Sequence, residues 1–135
     1  MKQFGMANPQ LFYRRLDLAT EHLKGSLPVS AQRWGISRKA LNIFLRNAFY
    51  NGYLNQEYGL AAAEWLFEIP LDSITGNTLY AQARKELPKW PGVMHLTPEM
   101  NRLYQEVARR IGRERGIAPV HLDAYWWGGN REPEV

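Results

Sequence analysis

The sequence predicts an all-α fold, and three observations carry the prediction. Apolar residues recur every three or four positions over long stretches, and no segment keeps the period of two that a half-buried strand needs. Helix start signals, Asn8-Pro9 and Thr97-Pro98, precede such stretches, and Gly25 and Gly116 follow them. The chain is 45% hydrophobic, with 5 Trp, 7 Tyr and 5 Phe, which is ample for a core. Residues 1–135 are therefore read as one helical domain, a compact bundle.

In chain order, Asn8 first caps a helix that starts at Pro9 and stops at Gly25, with Phe12, Leu16 and Leu23 near one face. Arg14 and Arg15 flank its buried stripe as solvated charge. The short segment VSAQRW closes at Gly35, and a longer helix runs from about Ser37 to Tyr50, with Leu41, Phe44, Leu45 and Ala48 at helical spacing. Gly52 and Gly59 bracket a weak extension, and LAAAEWLF reads as a short buried helix. Glu68-Ile69-Pro70 must be extended, because a proline pushes the residue before it out of the α region. Asp72 caps SITGNTLYAQARKEL, although Gly76 weakens that helix. After a proline-bounded loop, KELPKWPG, the helix opened by Thr97-Pro98 places Leu103, Val107 and Ile111 on one stripe and Arg102, Arg109 and Arg113 on another side. A last helix carries APVHLDAYWW.

Composition excludes several chemistries. Without cysteine there is no disulfide, no thiolate metal site and no cysteine nucleophile. His22, His95 and His121 do not have metal-ligand spacing, and neither a Walker loop nor a nucleophile-elbow serine occurs, so no metal or cofactor is expected. No apolar run reaches the ~20 residues of a membrane span, and the first ten residues lack a signal-peptide core. A cytoplasmic protein is expected. The net charge of +4 and pI near 9.5 favour a polyanionic partner.

The segment GISRKALNIFLRN, residues 35–47, admits two readings. With the preceding VSAQRW it forms a helix-turn-helix pattern, whose second helix would meet base edges through Ser37, Arg38 and Asn42. It also resembles the helix-hairpin-helix of archaeal-type 8-oxoguanine DNA glycosylase/AP lyases, with Gly35, Ile36, Lys39, Phe44, Leu45, Arg46 and Asn47 in register. The resemblance implies half of a glycosylase helical barrel, with hairpin backbone N–H groups on a DNA phosphate and Lys39 as nucleophile. Arg33, Gly35, Ser37, Arg38, Asn42 and Arg46 are then the expected DNA contacts. The chemistry needs an unprotonated amine, whereas a free lysine is almost wholly charged at neutral pH. A helix N-terminus and burial both disfavour an ammonium, and Lys39 is expected beside such a terminus.

Two further segments extend the resemblance. In IPLDSITGN, Asp72 matches the family's aspartate, which opens the next helix and stabilises positive charge developing on the sugar. Residues 103–127 are similar to the family's C-terminal helices, which end in Asp, three residues and Trp; Asp123 and Trp127 take those places. His121, Asp123, Trp126 and Trp127 are then expected to line the pocket for an extruded base. The sequence departs from the family in placing Ser37 at the second hairpin glycine, in extra residues between Asn47 and Asp72, and in the few residues before Gly35. The last departure leaves half the cleft either absent or supplied by a second copy, so a homodimer is one expectation and loss of catalysis the other.

The function expected is that of a DNA-binding, glycosylase-like protein, a base-excision enzyme acting on an oxidised purine through a lysine Schiff base. Its alternatives are a non-enzymatic helix-turn-helix protein built on residues 29–47 and an interaction module docking through the Trp-rich C-terminal segment.

Overall fold

Four helices begin where a side chain caps them. Asn8 Oδ1 accepts from the Leu11 N–H at 3.1 Å, Asn51 Oδ1 from Leu54 at 2.9 Å, Asp72 Oδ1 from Thr75 at 2.8 Å and Thr97 Oγ1 from Met100 at 3.1 Å. In the computed structural model, which describes residues 2–127, these caps open α1 (Pro9–Ser26), α3 (Gly52–Tyr58), α4 (Ser73–Gln82) and α5 (Pro98–Arg115). The other two α-helices are α2 (Trp34–Tyr50) and α6 (Leu122–Trp127). Single 3-10 segments stand at Lys2–Phe4, Val29–Ala31, Leu60–Leu66, Val93–His95 and Pro119–His121. The fold is all-α, with no strand among the described residues.

The core has two clusters. One joins Phe12 and Leu16 of α1, Leu45 and Ala48 of α2, and Leu60, Phe67 and Val120. The other joins Leu79 of α4, Tyr104, Val107 and Ile111 of α5, Leu122 and Trp126 of α6, and Trp90 of the connecting loop. The extended segment 67–71 passes between them and is buried throughout. Phe67 belongs to the first cluster, and Ile69 and Leu71 to the second.

A buried extended backbone needs hydrogen-bond partners, and no strand supplies them here. Gln105 does so at Ile69. Its Oε1 accepts from the Ile69 N–H at 3.0 Å, and its Nε2 donates to the Ile69 carbonyl at 2.9 Å. Gln105 is itself fixed by Asn101, whose Oδ1 accepts from Nε2 at 3.2 Å.

Several boundaries differ from the sequence reading. α2 starts at Trp34, so Gly35 and Ser37 lie in its first turn and not in a hairpin turn before it. The reason is a close approach: a Cβ at Gly35 would sit 2.1 Å from the Val93 carbonyl oxygen, so glycine here admits a packing contact within the helix. Val29–Ala31 is a single 3-10 turn, so the expected pair of helices around Gly35 is absent. Residues 60–66 form a kinked 3-10 segment, with Ala63 at φ −110° and ψ 15°. α4 stops at Gln82; Pro88 bars helix at the residue before it, and Leu87 closes a turn onto the Ala83 carbonyl at 3.0 Å. Leu103 is exposed, and the buried face of α5 is Tyr104, Val107, Ala108 and Ile111 together with Asn101 and Gln105.

Candidate functional site

α2 presents its polar residues in two directions. Arg38 and Asn42, one turn apart, point into the protein and are 3% exposed each. Arg38 Nε and Nη2 donate to Glu68 Oε1 and Oε2 at 2.9 and 3.0 Å. Its Nη1 reaches Asp17 Oδ1 at 2.8 Å and Thr20 Oγ1 at 2.9 Å. Asn42 and Asn101 each donate to Glu68 Oε1, at 3.1 and 3.2 Å. Burial alone would raise the Glu68 carboxyl, but the hydrogen bonds and charge of Arg38, helped by Asn42 and Asn101, outweigh it and hold the group below the ordinary glutamate range. The guanidinium also lies 5.1 Å from the centre of the Trp34 ring.

This network corrects four expected DNA contacts. Gly35, Ser37, Arg38 and Asn42 are all buried, so none presents a group to a phosphate or a base edge. Ser37 Oγ instead bonds the Arg33 carbonyl at 3.1 Å. Arg33 itself is exposed at the start of α2, and its side chain has no partner among the described residues.

The second direction is the stripe of Lys39, Ile43 and Arg46, spaced four and three residues apart and half-buried. Arg46 pairs with Asp123 at the start of α6. Asp123 Oδ1 also accepts from the Ala124 N–H at 2.8 Å. Burial raises the Asp123 carboxyl, Arg46 pulls it down, and the charge of Asp72 adds a further push upward. Asp72 therefore lies within electrostatic reach of the ion pair, at the N-cap of α4. Lys39 has no hydrogen bond or ion pair among the described residues. It stands in the second turn of α2, so the charge of the helix end, which acts within the first turn, reaches it less than the sequence implies.

Around Asp123 the residues expected to line a base pocket are engaged otherwise. Trp126 is buried in the core, so its ring is not free to stack on a base; its Nε1, like Arg46 Nε, is a buried donor without an acceptor. The side chain of Trp127 lies outside the described residues. His121 is engaged in a relay: Nε2 is 2.8 Å from Glu64 Oε2 and Nδ1 is 2.9 Å from the Tyr50 hydroxyl, against whose ring the imidazole stacks.

Sequence reasoning missed Glu68, Asp17, Tyr50, Glu64 and Gln105. Only Glu68 carried a signal, being a lone acid inside the apolar run LFEIPL. A cleft of about 400 Å³ opens between α1 and α5 over Arg38 and Trp34, and neither Lys39 nor Asp72 lines it. Among the described residues no cluster of His, Asp and Glu could hold a metal ion, and no helix is long and apolar enough to cross a membrane. No family model matches the chain, and neither a curated protein nor a solved structure shows significant similarity to it.

Proposed function

We propose that this chain is a DNA glycosylase-like protein in which Lys39 is the amine nucleophile and Asp72 the acidic partner. One observation supports this reading above the others. Asp72 acts electrostatically on Asp123, and Asp123 is ion-paired to Arg46, which shares its helical stripe with the unpartnered Lys39. The reading requires the amine and the acid to meet beside the Arg46–Asp123 pair.

In this reading the Lys39 Nζ attacks the sugar C1′ of a damaged nucleotide as the C1′–N bond breaks. The base leaves with the bonding pair and takes up a proton; the Nζ–C1′ adduct then gives up an amine proton and its C1′–O4′ bond opens, O4′ taking a proton and the Nζ–C1′ bond becoming the Schiff base. The Asp72 carboxylate stabilises the cationic sugar, an attraction that grows as the bond opens. DNA is the partner, held in part by the exposed Arg33. The homodimer implied by the resemblance belongs to the same proposal, and sedimentation of the protein reads it out.

Borohydride trapping on an 8-oxoguanine duplex and on an abasic duplex tests the chemistry. A covalent adduct with the native chain, absent in Lys39→Gln, is expected. Normal duplex binding with no adduct on either substrate would remove the enzymatic reading. A helix-turn-helix reader is disfavoured by the burial of its reading residues, Ser37, Arg38 and Asn42.

A further inference from the structure

The cleft between α1 and α5 has walls of opposite charge that do not neutralise each other. On α1, Tyr13, Asp17 and Glu21 recur at four-residue spacing and line one side. On α5, Arg102 and Arg109 line the other, with Glu106 between them. Trp34 and the Arg38–Glu68 pair form part of the same lining.

The distribution of contacts separates structure from available function. The Arg38–Glu68 pair and its amide partners, Asn42, Asn101 and Gln105, are committed to one another and to backbone. On the walls, Tyr13 donates to the Leu66 carbonyl and Asp17 pairs with Arg38, and the other groups are less engaged. Glu21, Arg102 and Glu106 have no hydrogen bond or ion pair among the described residues. Arg109 touches only the Tyr13 hydroxyl, at 3.2 Å, and the ring beneath it. Asp17 spends Oδ1 on Arg38 and its side chain is 65% exposed. Among the described residues no ion pair crosses from the α1 acids to the α5 arginines.

We infer that this cleft binds a small zwitterion of the α-amino-acid class. Its ammonium lies on Asp17 and Glu21, its carboxylate on Arg102 and Arg109, and its body against Trp34. A simple anion is repelled by the α1 wall and by Glu106. A simple cation is repelled by the arginines. A neutral apolar ligand would desolvate charges on both walls without pairing them, which costs more than its burial returns. A molecule that carries both charges pairs with both walls. The volume of about 400 Å³ lies at the lower end of small-ligand sites and suits a molecule of that size. Arg–carboxylate contacts supply the stronger and more directional half of the recognition. The inference rests on residues that the glycosylase proposal does not use, so either can fail alone.

Titration calorimetry of the full chain against each of the twenty L-amino acids tests it. Saturable binding by at least one is expected at millimolar concentration or below. For that binder, the analogue lacking the amino group and the analogue with an amide in place of the carboxylate should each bind about tenfold more weakly or worse, the loss of one charge-assisted contact. Glu21→Gln and Arg102→Gln, both at exposed positions, should weaken the parent amino acid to a similar degree while circular dichroism and thermal midpoint stay unchanged. Three results overturn the inference: no saturable heat with any of the twenty, equal binding by the charge-deleted analogues, or native affinity in both variants.

Discussion

Arg38 meets Glu68 through two parallel contacts, Nε to Oε1 and Nη2 to Oε2, at a depth where both side chains are about 5% exposed or less. The pair ties α2 to the segment 67–71, and Asp17 and Thr20 tie the same guanidinium to α1. Burying two charges costs desolvation, so a buried pair is weak evidence of stability in itself, whereas removing one partner leaves the other charge uncompensated and carries a large penalty. The partners are not equivalent. Without Arg38, Glu68 keeps only amide donors. Without the Glu68 charge, Arg38 still has Asp17. Arg38→Met should therefore cost ~3–5 kcal/mol of unfolding free energy, and Glu68→Gln clearly less. Urea denaturation of the two variants checks the order, and a smaller loss in Arg38→Met would refute the asymmetry.

The same pair sets an acid limb of stability. The folded Glu68 carboxyl is held below its unfolded range, so the folded state binds that proton less readily. Its contribution is fully present above the unfolded glutamate value of about 4.3 and is lost as pH falls through the lower folded value. Asp123 works in the opposite sense: its folded carboxyl is raised, so its contribution declines as pH rises from the unfolded value through the folded one. Thermal midpoints of the native chain should drop steeply below about pH 4.3, and Glu68→Gln should flatten that drop. An unchanged acid slope in the variant would show that other carboxylates carry it.

Much of the fold was legible because its signals are local. Asn8, Asp72 and Thr97 cap helices through contacts three residues away, a separation that the sequence displays directly. The extended backbone at Ile69 is dictated by Pro70, the residue after it. The site was less legible because its determinants are distant. Arg38 reads as a surface reader of DNA in the string Ser-Arg-Lys, and its burial depends on a glutamate 30 residues later. Gln105 reads as one polar helix residue among many, yet it closes both backbone bonds of a residue 36 positions away. Phe44 fits the apolar spacing of α2 but is 56% exposed, because periodicity marks a stripe without saying how wide a neighbour covers it.

Gly76 gives a case where helix propensity and packing disagree. In a helix interior, alanine is favoured over glycine by ~1 kcal/mol. Here a Cβ would lie 2.3 Å from Cδ2 of the Trp90 indole, with two further ring atoms at 2.5 Å. The indole is part of the core and lies at 5.4 Å from the Tyr104 ring, so it cannot swing away cheaply. Gly76→Ala should therefore destabilise by ~1–3 kcal/mol, the overpacking cost outweighing the propensity gain. A lower urea midpoint with a shifted tryptophan emission maximum is the expected pair of readouts. A rise in the midpoint would mean that the loop carrying Trp90 yields easily.

Asp72 serves two roles that substitution can separate. Its Oδ1 caps α4 through the Thr75 N–H, and its charge acts on the cluster around Asp123. Asparagine caps a helix about as well as aspartate, whereas alanine loses ~1 kcal/mol of capping. Asp72→Asn should then leave the unfolding free energy within ~0.5 kcal/mol of native, while Asp72→Ala lowers stability by ~0.5–2 kcal/mol. The charge effect divides the variants differently: both remove the carboxylate that pushes Asp123 upward, so both should lower the Asp123 titration midpoint, read from the pH dependence of its carboxyl carbon resonance. If the proposed chemistry holds, both also slow borohydride-trapped adduct formation to a similar extent. A native trapping rate in Asp72→Asn would confine Asp72 to capping and remove it from the catalytic assignment.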